Sequence, residues 1–396
     1  MILVACGNGA SHEAPDASTD SGADAANADG RSTCDAGGAA RAVLVAISAS
    51  DEVDLYTLQG GHLIAAGSKV TGIDRPDQIV MRDDGAEAIT IYGGYGSPFG
   101  VAVIAIDGTT VRLAQTLQIG TDSTAISIAY ADHDHAVIAL EAQNDEVVGI
   151  ARGASGFVAG ARVPAPASYP LAVRARPGSS DVLLARSQVG VDPNMDIYRL
   201  DAGASGTWTS VGPHTSVGPN PITMALHSSG NALYVPTGDP SNPVTSKNLD
   251  APSLLHAVTI GSNSFTAAGT ATLPRIASMV TADPLGRFVV TEGNHYVLDG
   301  NGNPNVIGYN FQTVLVGSDG ALGDVHATMD PTAGLLFDDL EVAPSGHLIA
   351  AREMYEGSVP VAMQYPLELW AQPEWGAWTL CDTAYLSGGA HVAIAR

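Results

Sequence analysis

The chain has 396 residues, 45% of them hydrophobic, with 41 acidic against 17 basic side chains and a formal net charge of -24. Such a charge repels phosphate backbones and argues against nucleic-acid binding. No uninterrupted apolar run reaches the length of a membrane span; runs such as Val101 to Ile106 are strand-sized.

At the start, Leu3-Val4-Ala5-Cys6-Gly7 resembles the lipobox of bacterial lipoprotein precursors. That resemblance implies cleavage before Cys6 and acylation of its thiol and new amine. It implies a lipid-anchored protein of the cell envelope, outside the cytoplasm. Residues 1–6 read as the end of a truncated signal, because only Met1 to Ala5 precede the cysteine and no Lys or Arg stands among them. Residues 7–40 are rich in Ala, Asp, Ser and Gly, as in Asp16-Ala-Ser-Thr-Asp20-Ser-Gly-Ala-Asp24. Too few large apolar side chains are present to offset the entropy of ordering, which predicts a disordered acidic tether.

From residue 41 to 396 the apolar runs are short, rich in Val, Ile, Leu and Tyr, and broken by Gly, Asp or Pro. They predict strands. One recurring pattern is a turn followed by a strand: Asp83-Asp84-Gly85 before Ala88 to Tyr92, Pro177-Gly178 before Asp181 to Ala185, and Ser228-Ser229-Gly230 before Ala232 to Pro236. It returns at Gly286 and Gly346, and without its glycine at Ala131 to Asp134. Glycine supplies the positive φ of a tight hairpin. The second pattern is a hairpin: Val53 to Leu58 with His62 to Val70, Val101 to Ile106 with Val111 to Ile119, Glu146 to Ala151 with Gly156 to Val163, Asp196 to Leu200 with Thr207 to Val211, and Leu254 to Ile260 with Ser264 to Leu273. A looser one lies between Tyr296 and Val316, and the last joins Pro366 to Ala371 with Gly376 to Cys381.

Radial repetition of four-stranded units predicts an all-β fold, a β-propeller with seven four-stranded blades. The first unit starts at Arg41 without an inner strand, and His391 to Arg396 is left over at the end. The leftover strand can complete the first blade. With Cys6 acylated, Cys34 and Cys381 remain, and they either pair as a disulfide stapling the two ends or stay as two free thiols. The turn-and-strand copies, Pro221 to Pro236 above all, resemble the repeats of bacterial seven-bladed propellers of the lactonase-like and YVTN group. The resemblance specifies architecture; its members include sugar lactone hydrolases and surface proteins without assigned chemistry. It maps no catalytic set onto this chain.

Three candidate sites stand out. Asp132-His133-Asp134-His135 gathers possible metal ligands at a blade turn, where adjacent side chains point to opposite faces. Asp324 and His326, two residues apart in the longest interval between blade turns, could share a face and, with Asp339 or Glu341, form an acid–base or metal group. Asp299, Asn301 and Asn303 place oxygen donors at alternate positions, weakly as calcium loops do, with no Glu to close the motif. No Gly-x-Ser-x-Gly elbow, Walker motif or HExxH is present. Two functions follow: a membrane-tethered monomeric propeller that binds a protein or glycan, or a lactonase-like, metal-assisted hydrolase of a sugar lactone or related small molecule.

Overall fold

The computed structural model describes residues 32–34 and 39–396, apart from 95, 142–145, 166–169, 178, 180, 189–191, 203–207, 220–222, 239–250, 263, 278, 299, 303, 329–334, 357–358 and 361–364. The cysteine at position 6 and the tether up to residue 31 lie outside the described residues.

Valine, isoleucine and leucine pack well on pleated surfaces, and here they fill strands whose two faces are both covered. The first sheet contains β1 (Arg41–Ile47), β2 (Glu52–Gln59) and β3 (His62–Thr71). The second contains β4 (Ile79–Met81), β5 (Glu87–Tyr92), β6 (Phe99–Asp107) and β7 (Thr110–Gly120). In the third are β8 (Thr124–Tyr130), β9 (His135–Glu141), β10 (Glu146–Gly153) and β11 (Gly156–Pro164). The fourth comprises β12 (Pro170–Ala175), β13 (Val182–Gln188), β14 (Asp192–Ala202) and β15 (Trp208–Pro219). The fifth has β16 (Ala225–Leu226), β17 (Ala232–Gly238), β18 (Ser253–Ile260) and β19 (Phe265–Leu273). The sixth has β20 (Val280–Ala282), β21 (Phe288–Leu298), β22 (Pro304–Val316) and β23 (Leu322–Thr328). The seventh is β24 (Leu335–Val342), β25 (Leu348–Glu356), β27 (Tyr365–Glu374) and β28 (Ala377–Leu386), with the short β26 (Val359–Pro360) paired to β25. The last strand, β29 (Ala390–Ile394), pairs antiparallel with β1 and completes the first sheet.

Every sheet is thus built on four antiparallel strands, the seventh with β26 added, and the seven form a β-propeller. One apolar cluster straddles each junction between consecutive sheets. Leu44, Leu55, Ile79 and Ile104 join the first and second, for example, and Val43, Ile349, Leu367 and Val392 join the seventh and first. Burying one such side chain stabilises by roughly 1.5–3 kcal/mol, so no blade holds its two apolar faces without neighbours. In all seven sheets the outermost strand pair carries a register shift. Such bulges twist an edge away from edge-to-edge pairing.

The seam has three fastenings. β29 lies against β1, with Val45 opposite Val392. The Asp382 carboxylate on β28 accepts the Leu63 N–H at 2.9 Å, and it lies 3.4 Å from His62. A Cys34–Cys381 disulfide spans 347 residues of sequence. The segment before it docks on the seventh blade: the Ser32 hydroxyl donates to the Gly346 carbonyl and accepts from the Gln372 N–H, and His347 Nε2 meets the Thr33 carbonyl at 3.1 Å.

One sequence expectation needs correction. The sixth-blade hairpin is β22 with β23, because β21 runs on to Leu298. The polar residues Glu292 and Asn294 are buried inside β21, where they carry the strand past Thr291. Asp324 and His326 therefore belong to a regular outer strand and not to an inserted loop.

Candidate functional site in the axial channel

The innermost strands are β29, β4, β8, β12, β16, β20 and β24. Their unpaired edges surround the axis. Alternate residues of each point to the two neighbouring blades, and long polar side chains near the edge reach the channel. On β24, Leu340 and Val342 pack toward the sixth blade, so Asp339 and Glu341 turn toward β29.

Near the mouth, His391 on β29 links three blades. Its Nε2 lies 2.7 Å from Asp77 Oδ1, just ahead of β4, and its Nδ1 lies 3.6 Å from Asp339 Oδ2. Asp339 Oδ2 also accepts the edge N–H of Val392 at 2.9 Å, and Oδ1 accepts the N–H of Leu340 at 2.9 Å. Asp77 is fixed through its backbone: its N–H donates to the Ile91 carbonyl, and its carbonyl accepts from the Thr90 hydroxyl. His391 is one-third exposed although protein encloses it, as expected of a group lining a wet channel. Burial alone would depress its pKa, but the hydrogen bonds and charges of Asp339 and Asp77 push it up to about 10. Burial likewise opposes ionisation of Asp77, and the bond to His391 overcomes it and holds that carboxyl below its ordinary value. His391 is therefore a fixed imidazolium at neutral pH and no base.

Two residues further along β24, about 7 Å deeper, stands Glu341. Burial raises its pKa to about 7, aided by the Asp339 charge and opposed by the cations Arg396 and Arg174. Arg174 enters from β12. Its Nε donates to the Met224 carbonyl at 3.1 Å, its Nη1 to the Val173 carbonyl at 2.9 Å, and its Nη2 to the Thr223 hydroxyl at 3.4 Å. Burial draws its pKa down, partly offset by Glu341 and Asp339. The result is a carboxyl poised near neutrality in the field of two guanidinium groups, near a locked acid–imidazolium–acid array. Such a set can move a proton and hold an anion.

Of the residues singled out in the sequence, Asp339 and Glu341 lie in the channel and the others fall elsewhere. Asp324 and His326 lie on β23, the outermost strand of the sixth blade, while Asp339 and Glu341 lie on the innermost strand of the seventh; the fold keeps the two pairs apart. Asp132 caps its turn by accepting the N–H groups of Asp134 and His135 at 2.7 and 2.8 Å, and His133 pairs with Asp134 at 2.9 Å. Asn301 is an exposed turn residue, and Asp299 and Asn303 lie outside the described residues. Among the described residues no group of three or more His, Cys, Asp or Glu is placed to hold a metal ion. Asp77, Arg174, His391 and Arg396 were not singled out in the sequence. Their one signal is a charge set in or beside a short inner strand, as Arg174 is in Leu171-Ala-Val-Arg174-Ala.

The fold and channel define a seven-sheet β-propeller with a charged axial site. No protein-family model and no curated protein matches the sequence. Solved structures do match in fold. A protein from Bacteroides uniformis, provisionally named a 6-phosphogluconolactonase, superposes with a TM-score of 0.67 at 11% identity, over 90% of this chain and 99% of that one. The periplasmic gluconolactonase of Pseudomonas aeruginosa superposes with a TM-score of 0.60 at 13% identity, over 90% and 99%. A protein of unknown function from Desulfotomaculum acetoxidans gives 0.61 at 10% identity, again over 90% and 99%. At such identities the likeness is one of fold alone.

Proposed function

We propose that this chain is an extracytoplasmic propeller, lipid-anchored through Cys6, whose axial channel hydrolyses a lactone of a hydroxylated acid. The observation that carries the chemistry is Glu341, held near neutral pKa beside Arg174 and Arg396. Its carboxylate takes a proton from water as that water attacks the ring carbonyl. The guanidinium groups stabilise the oxyanion and then the carboxylate product. Glu341 returns the proton to the ring oxygen as the C–O bond opens, which leaves a hydroxy acid. His391 orders the mouth and offsets the charges of Asp77 and Asp339. The lactonase names of two structural neighbours support this reading weakly.

Anchoring is supported by the Leu3-Val-Ala-Cys6 sequence, and an extracytoplasmic location by a disulfide, which persists in oxidising compartments. The test of the chemistry is hydrolysis of D-glucono-1,5-lactone followed at constant pH. The wild-type chain should exceed the buffer rate, and Glu341→Gln should lose roughly 100-fold or more. A wild-type rate equal to buffer overturns the lactone reading. For the anchor, the mass of the mature N-terminal peptide decides, and an unacylated Cys6 overturns it.

A further inference from the structure

The first-to-second strand turns of the second to seventh blades and the third-to-fourth turns lie on one face of the ring, opposite the mouth where Asp77 and His391 lie. On that lower face four turns converge from the fifth, sixth and seventh blades. They border a broadly open cavity of about 600 Å³ lined by Ser228, Ser229, Leu285, Ser318 and Trp375, among others. This volume falls within the roughly 300–1,000 Å³ of small-ligand sites. No residue of the channel cluster lines it.

The floor is built closely. Gly286 has φ +71°, and a Cβ there would stand 2.5 Å from His227 Nε2 and 2.5 Å from Ser228 Oγ. The His227 ring is fixed on both nitrogens, by the Ser229 hydroxyl at Nδ1 (2.7 Å) and the Gly286 carbonyl at Nε2 (3.2 Å). The wall is apolar. Trp375 meets the buried Phe288 edge-on at 5.7 Å, and the Leu285 side chain is 53% exposed.

The polar groups are neutral in effect. Arg287 lines the cavity, but Asp283 holds it bidentately at 2.7 and 2.8 Å, and it also reaches the Pro344 carbonyl. The Ser228 and Ser318 hydroxyls have no hydrogen-bond partner among the described residues. An indole wall beside unengaged hydroxyls, with the one cation neutralised, suits a ligand having apolar C–H faces and hydroxyl edges.

We infer that this lower-face cavity is a binding site for a neutral saccharide, separate from the channel. The experiment uses the full chain with cellobiose, maltose and N,N′-diacetylchitobiose as probes, read by saturation-transfer NMR and isothermal titration calorimetry. At least one disaccharide should bind. Trp375→Ala should weaken it tenfold or more and Ser318→Ala several-fold, while Glu341→Gln leaves it unchanged. Because Trp375 packs on Phe288, Leu285→Ala and Ser318→Ala carry the test if Trp375→Ala does not fold. The inference is overturned if no disaccharide binds, if cavity variants bind as the wild type does, or if Glu341→Gln abolishes binding and so locates the sugar in the channel.

Discussion

His391 Nε2 lies 2.7 Å from Asp77 Oδ1, so the strand that closes the ring is tied by charge to the blade that follows it. The same imidazole faces Asp339 on the preceding blade. One residue thus serves both the mouth of the channel and the closure of the fold.

Stability should fall as pH rises above neutrality. His391 has a folded pKa of about 10 against an ordinary 6.5, so its contribution is complete below about pH 6.5 and is lost as pH climbs toward 10. Glu341, at about 7 against 4.5, adds a loss of the same sign between those values. Asp77, held below its ordinary value, acts oppositely and only in acid. Thermal midpoints should decline from pH 6 to 10, and His391→Gln should flatten the alkaline part. A wild-type midpoint constant from pH 7 to 10 contradicts this account.

Lactone hydrolysis should rise through about pH 7 as Glu341 loses its proton. Arg396 is the chief charge lowering that pKa, so Arg396→Gln should move the rising limb to higher pH. Full pH–rate profiles of the two proteins decide this, and superimposable limbs count against Glu341 as the base.

The strap before β1 should respond to a change at Gly61. A Cβ there, at φ +75°, would fall 1.4 Å from the Cys34 carbonyl oxygen. Gly61→Ala should therefore displace the strap and make the disulfide easier to reduce, measured as thiols released at a fixed dithiothreitol concentration. Cys34→Ser should cost about 2–4 kcal/mol in denaturant unfolding. Unchanged thiol release in Gly61→Ala would mean the strap tolerates the clash.

Between the sixth and seventh blades, Arg352 is 1% exposed, with its Nε 2.8 Å from Glu368 Oε2 and its guanidinium over the Phe311 and Trp370 rings. Arg352→Ala strands a buried carboxylate and should destabilise by about 3–5 kcal/mol. Arg352→Met with Glu368→Gln should recover part of that loss. Equal losses in the single and double variants would show that the charge pair is not the cause.

Blade order was legible in the sequence because each unit carries its own turn chemistry. Ser228-Ser229-Gly230 turns into β17, Gly230 sits at φ +70°, and the leftover His391 segment is β29. The sixth blade is harder to place because its second strand, β21, carries the buried polar residues Glu292 and Asn294 and runs on to Leu298. Asp339 and Glu341 stand out in the sequence, but beside Asp324 and His326, which the fold places on an outer strand of another blade. The channel site itself was hidden for a physical reason. Asp77, Arg174, Glu341 and His391 come from four blades, and only ring closure aligns them.

Because β29 pairs with β1, the first blade cannot be finished until nearly all of the chain has been synthesised. Cys381 likewise cannot meet Cys34 until then. A nascent chain of this design stays an open row of blades on the ribosome, with one apolar face uncovered at each end. The ring, the channel and the disulfide are therefore all completed together, by the last strand to be made.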